Sequence, residues 1–216
     1  MYIKSPNLTT EWQKVVGDSF DNLHALEMGY INGGQKVLLT VKENYPTMSL
    51  NYHNLDDGLS HEEYASLTGD GYTAKIVVAN MDLDGQPDII VAAGDTINIV
   101  SNRNPGQVDT VAPGCNSPVI DLAVADTTGD GTRDVFAVTQ KFDIWQFNVD
   151  NDHLIPLAVT GVPTSLESLD DGARLAYGTA AGSIRILNDD EFESEIICRL
   201  KNTSVHKVLF QSVKIV

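Results

Sequence analysis

Two stretches of the 216-residue chain share one build: residues 74–93, AKIVVANMDLDGQPDIIVAA, and residues 119–139, VIDLAVADTTGDGTRDVFAVT. Each is a short apolar run, a turn of aspartate and glycine, and a second apolar run. Related runs open at Leu23, Thr164 and Val205, so successive starts lie 51, 45, 45 and 41 residues apart. Self-similarity at such a period is the mark of stacked structural repeats. It excludes most folds with a single, aperiodic core.

The local patterning says what each repeat is. TMSLNYH, TINIVSN, FDIWQFNV and SIRILND follow the first two runs, with the period-two alternation of half-buried strands. More polar segments, EEYASLT, QVDTVAP, HLIPLAV and SEIICRL, close the units. SHEEYASL also carries a capping-box pattern, Ser60 with Glu63, but the repeat calls for a strand there. Trp145 and Phe147 alternate and so share one strand face, which suits a core between units.

Four strands in about 45 residues is the make-up of one propeller blade. The expected fold is all-β: a single five-bladed β-propeller over 1–216, with units at about 23–73, 74–118, 119–163 and 164–204. Residues 205–216 and 1–20 (MYIKS, EWQKVVG, VHKVLFQ and VKIV) would form a composite closing blade that removes open sheet edges. The alternative arrangement is a piece of a larger propeller, one of seven blades for example.

The turn DTTGDGTRD sets Asp126, Thr128, Asp130, Thr132 and Asp134 at alternating positions, with Gly131 between them. Ca²⁺ takes six to eight oxygens, and carboxylates at positions 1, 3, 5 and 9 with a carbonyl at 7 supply such a cage. Aspartate and glycine also build turns that satisfy themselves. The matching turn, DLDGQPD, is shorter, with Asp82, Asp84 and Asp88, and Gln86 offering an oxygen. YINGGQK and LDDGAR lack the acids or the length, so both are expected to be metal-free.

Nine-residue acidic turns between short strands, at blade spacing, resemble the FG-GAP/VCBS repeat family, whose calcium loops read D-x-D-x-D-G-x-x-D. Integrin α-subunit heads are its best-known members. The resemblance is carried by residues 74–148 and is weaker over 23–50; over 163–216 only the strand pattern remains. It implies structural Ca²⁺ at Asp126, Asp130 and Asp134, and less strongly at Asp82, Asp84 and Asp88. The Phe-Gly and Gly-Ala-Pro signatures are absent, so no integrin-type ligand site follows. PTSLESLDDGARLAYGTAAGSIRIL is also similar to propeller domains of ciliary coat proteins, a likeness silent on compartment.

Function is less constrained. The net charge of -16 argues against nucleic-acid partners, which need clustered Lys and Arg. No apolar run reaches the ~20 residues of a spanning helix, so membrane insertion is not expected. The opening, MYIKSPNLTTEW, has no apolar secretory segment. Cys115 and Cys198 read as free thiols. No nucleophile motif or phosphate-cradling loop is present.

The reading is a non-catalytic binding or scaffold propeller, stiffened by Ca²⁺, with a protein or glycan ligand or a place in an assembly. A loop with one neutral ligand suits extracellular calcium. The alternative is an enzyme, since EWQKVVGDSFDNLHALEMG is similar to the opening of propeller sugar lyases. Its site would gather His24 with His53, Asp56, Asp57, His61, Glu62 and Glu63. That reading requires His24 and the 53–63 loop to share a face.

Overall fold

The computed structural model describes residues 22–199, except 32–33, 45–46, 55–60, 70–72, 82–83, 102–103, 105, 113, 151, 170–171 and 188–193. The alternating segments become sixteen strands. Blade 1 comprises β1 (Asn22–Ile31), β2 (Gln35–Asn44), β3 (Thr47–Asn54) and β4 (His61–Leu67). Blade 2 comprises β5 (Ala74–Ala79), β6 (Asp88–Ala93), β7 (Thr96–Val100) and β8 (Thr110–Val111). Blade 3 holds β9 (Val119–Ala125), β10 (Asp134–Thr139), β11 (Ile144–Asn148) and β12 (His153–Leu157). Blade 4 holds β13 (Pro163–Leu169), β14 (Arg174–Thr179), β15 (Ser183–Leu187) and β16 (Ser194–Arg199). Each blade is a four-stranded antiparallel meander in sequence order.

SHEEYASL resolves as strand from His61, paired with β3. The expected fourth strand QVDTVAP shrinks to two residues. Side chains compete for the backbone there: the Asp109 carboxylate accepts the Ser101 N–H at 3.0 Å and the Asn104 amide at 2.8 Å. Such local bonds favour a turn over a ladder.

The second strands, β6 (DIIVAA) and β10 (DVFAVT), are buried at every residue. A strand covered on both faces reads as a continuous apolar run, the pattern these segments show. The blades pack face to face through three cores. Val37, Leu39, Leu50, Ile76 and Val91 join blades 1 and 2. Ile90, Ile97, Val124, Val135 and Phe147 join blades 2 and 3, with Trp145 packed against them as expected. Phe136, Val138, Leu166, Leu175 and Tyr177 join blades 3 and 4. The composite fifth blade falls on residues 1–20 and 205–216, outside the described residues.

Candidate functional site

The first strands β1, β5, β9 and β13 adjoin in order around the inside of the array. They line a cavity of about 640 Å³ whose wall includes His24, Glu27, Lys75, Asp121, Thr164 and Glu167. Asp121 fastens this wall: its Oδ2 accepts the Leu166 N–H at 2.9 Å, so β9 holds β13.

The acidic turns lie at one end of the blades, where each first strand passes to its second. Backbone bonds tie these turns across blades. The Asp126 N–H donates to the Gly172 carbonyl at 2.6 Å, and the Arg133 N–H to the Met81 carbonyl at 3.4 Å. Within residues 126–134, Gly129 and Gly131 have φ of +70° and +90°. That left-handed backbone turns their N–H groups onto Asp126, at 2.8 Å to Oδ1 and 3.0 Å to Oδ2. The Asp130 Oδ1 accepts the Thr132 N–H at 2.8 Å. This bond and one from the Thr128 hydroxyl hold the Asp130 carboxyl below its ordinary range.

Asp134 behaves differently. It is 2% exposed and faces inward, where the Gln146 amide donates to its Oδ2 at 2.5 Å. Burial pushes its pKa up, against the bonds from Gln146, Asn148 and the Val149 N–H, and the Asp130 charge adds to the rise. Gln146 Oε1 beside it is buried with no partner among the described residues. The donor set is carboxylate, hydroxyl and amide oxygen, which suits a hard cation. Asp126, Asp130 and Asp134 are nonetheless not gathered: among the described residues no three acid, His or Cys side chains cluster in metal-binding fashion.

In blade 2, Asp88 is buried and its Oδ2 accepts the Met81 N–H at 2.9 Å. Asp84 is exposed and takes the Gln86 backbone N–H at 2.7 Å, so Gln86 meets it as a donor. Asp82 lies outside the described residues.

The histidine-and-acid constellation is not assembled. Asn54 pairs with Val37 and Val37 with Gly29, which puts the β3–β4 connection level with the far half of β1. His24 stands five residues back along β1, about 15 Å at the rise of a strand. The sugar-lyase arrangement needed these groups at one end, and strand register separates them. His53 is 1% exposed and bonded through Nε2 to the Thr40 hydroxyl at 3.1 Å. His24 instead faces Glu43, at 3.4 Å. Glu63 is exposed and meets the Ser66 hydroxyl, while Asp56 and Asp57 lie outside the described residues, as do the side chains of His61 and Glu62.

The opposite end of the blades carries a group that composition did not single out. Phe142, in the β10–β11 turn, is 50% exposed with φ of +61°. The equivalent turn of blade 4 uses Gly182 in that conformation. Val162, in the β12–β13 connection at the same end, is 44% exposed. The turn around Phe142 is firmly held: Thr139 bonds Asp143, the Phe142 N–H reaches the Thr139 carbonyl at 2.9 Å, and Lys141 reaches the Asn116 carbonyl at 2.8 Å.

These blades, radially arranged about a central cavity, define a β-propeller. Residues 80–137 match the family model of the FG-GAP-like repeat, so this propeller carries a repeat of the FG-GAP type. No curated protein matches the sequence. The fold is similar to Sqt1 of Saccharomyces cerevisiae, with a TM-score of 0.63 and 17% identity over 88% of this chain and 54% of that one. It is similar to BBS1N, solved in complex with ARL6DN and soaked with mercury (TM-score 0.64, 12% identity, 97% of this chain and 63% of that one). A humanized mutant of the Chaetomium thermophilum Polycomb Repressive Complex 2, bound to the inhibitor GSK126, matches at a TM-score of 0.54 and 13% identity, over 80% of this chain and 39% of that one. The chain spans less than two thirds of the length of each. At such identities the likeness shows the fold alone. Among the described residues, no helix is long and apolar enough to cross a membrane.

Proposed function

We propose that the protein is a non-catalytic propeller that acts by surface contact, as a binding or scaffold module with a protein partner. Phe142 carries this reading. A bulky residue in left-handed backbone costs about 1–2 kcal/mol where glycine costs little. An exposed aromatic ring held there at that cost is the kind of anchor on which protein interfaces concentrate their energy. Val162 is a second exposed apolar side chain at the same end. Propeller neighbours solved with partners, such as BBS1N with ARL6DN, are consistent with an assembly role.

The second part of the proposal is that Ca²⁺ stiffens the 126–134 turn, held by Asp126, Asp130 and Asp134 with Thr128 and Thr132. The FG-GAP match and the oxygen-only donor set support it. A loop with neutral threonine ligands would bind weakly and suit millimolar extracellular calcium.

A photo-crosslinking residue placed at position 142 of the full chain tests the contact. The expected result is a discrete protein adduct in the native host that is absent when the probe sits at Asp152, exposed at the other end of the blades. Equal labelling from both positions would overturn the reading. So would binding to a glycan array that survives Phe142→Gly.

A further inference from the structure

The cavity inside the blades is off-centre along their length. Its wall takes residues 24–27 of β1, 74–77 of β5 and 120–122 of β9, with Thr164, Leu166 and Glu167 of β13. All fall in the opening part of their strands. The first strands begin at the end of the propeller that carries Phe142 and Val162, and they run toward the end that carries the acidic turns. The cavity therefore lies on the Phe142 side.

Its wall is rich in hydrogen-bond acceptors. Each first strand is paired along one edge only within its sheet. The other edge keeps backbone groups to offer. Carboxylates of the wall take backbone N–H groups there. Asp121 accepts the Leu122 N–H at 3.2 Å through Oδ1 and the Leu166 N–H at 2.9 Å through Oδ2. Glu27 Oε1 accepts the Met28 N–H at 3.0 Å. In a strand the N–H and C=O of one residue point to the same edge. The Leu122 and Leu166 carbonyls therefore project on the side where Asp121 takes the N–H groups. With those donors used, the wall presents carbonyl and carboxylate oxygen. Glu167 adds a carboxylate, His24 is turned to Glu43, and Lys75 is the one lysine or arginine among the described wall residues.

Such a wall repels anions and receives groups that have several donors and no acceptor. Among side chains these are the guanidinium of arginine and the ammonium of lysine. The net charge of -16 raises the concentration of cations at a cleft of this kind. The volume of about 640 Å³ falls within the range of about 300–1,000 Å³ in which proteins hold ligands.

We infer that the cavity receives a basic side chain, arginine or lysine, from the protein partner. This rests on the reading of the molecule as a partner-binding propeller and states how the partner is recognised. Its cation enters beside Glu27, Asp121 and Glu167, while its apolar groups meet Phe142 and Val162 at the same end.

The test is an amide NMR titration of the ¹⁵N-labelled full chain with three short peptides. These are acetyl-Gly-Arg-Gly-amide, its lysine counterpart and its citrulline counterpart, which keeps the shape of arginine without the charge. Saturable shifts at the Leu122 and Leu166 amides are expected with the arginine or the lysine peptide. The citrulline peptide should bind at least about tenfold more weakly, as loss of a charged hydrogen-bonding partner implies. Glu27→Gln, at an exposed position, should weaken the charged peptide about two- to fivefold. Asp84→Asn, in an acidic turn at the far end, should leave binding unchanged. Equal affinity for all three peptides would overturn the inference. So would shifts that spread over the acidic turns without saturating, or equal effects of the two substitutions. Spermidine binding at least about tenfold more tightly than both charged peptides would also overturn it and give the cavity to a free polyamine. None of these readouts involves Phe142. Peptide binding without a photo-adduct at position 142 strikes the Phe142 contact alone, and the reverse strikes the cavity alone.

Discussion

Asn98 on β7 holds both backbone groups of Thr68, the residue that follows β4 of the neighbouring blade. Its Oδ1 accepts the Thr68 N–H and its Nδ2 donates to the Thr68 carbonyl, each at 2.8 Å. Asn98 is fully buried, so the amide replaces a ladder where the outer strand of blade 1 has ended. Asn98→Ala strips both partners and leaves a void. Thr68 is exposed and its two bonds are only part-buried, so water recovers part of the about 1–3 kcal/mol that an unmet buried group costs, and the void left by the fully buried amide supplies the rest of the loss. A loss of about 2–3 kcal/mol in urea denaturation, with an unchanged m-value, is expected; a loss under about 0.5 kcal/mol would show that water replaces the amide at no cost.

Asp134 gives a pH signature. Burial raises its pKa above the unfolded value of 3.8. Between those two values the folded chain binds more protons than the unfolded one. Its contribution to stability is therefore full below about pH 3.8 and falls as pH rises to the folded value. Asp134→Asn removes that downward slope. Stability of the variant should rise more steeply with pH just above 4 than that of the unaltered chain, measured by urea midpoints across pH 3.5–6. Parallel curves would mean that Asp134 is not protonated preferentially in the fold.

Cys115 should be inert. It is buried, and burial first, then the charges of Asp95 and Asp143, push its thiol up to about 12. Reaction with alkylating reagents needs the thiolate. At pH 8 the native chain should label at Cys115 at least about 100-fold more slowly than a free thiol. Peptide mapping resolves it from Cys198, and rapid native labelling would contradict the burial.

Calcium should raise the melting temperature if the 126–134 turn holds it. At ten times the dissociation constant, binding adds about 1.4 kcal/mol, or about 3–5 °C for a chain of this size. EDTA should abolish the rise, Asp130→Ala should remove most of it, and Mg²⁺ should not replace Ca²⁺. Superimposable melting curves with and without calcium would dismiss the metal and leave Gly129 and Gly131 as the groups that offset the Asp126 charge.

The strands were legible because alternation and the all-apolar second strands follow directly from who covers each face. DIIVAA and DVFAVT announce strands with a blade on both sides, and TINIV and SIRIL one step outward. What the sequence conceals is lateral. Asp134 turns toward Gln146, twelve residues on, and only the pairing of β10 with β11 brings them together. The enzyme alternative needs His24 and the 53–63 loop on one face, but the β1–β2–β3 register carries His24 and His53 to different ends. The alternation of FDIWQFNV makes Phe142 the first residue of a strand. The strand starts at Ile144, and Phe142 sits in the turn before it.

That turn allows the contact reading and the fold to be separated. Phe142→Gly should relieve the left-handed strain, worth about 1–2 kcal/mol, while adding up to about 1 kcal/mol of unfolded-chain entropy. The Phe142 N–H bond to the Thr139 carbonyl, and the Thr139–Asp143 bond beside it, do not depend on the ring. The net expectation is a gain of about 0.5–1 kcal/mol, a melting temperature higher by about 1–4 °C, with loss of the partner contact. A variant destabilised by more than about 1 kcal/mol would mean that the ring packs in the folded chain, which would remove the reason for reading it as a surface anchor.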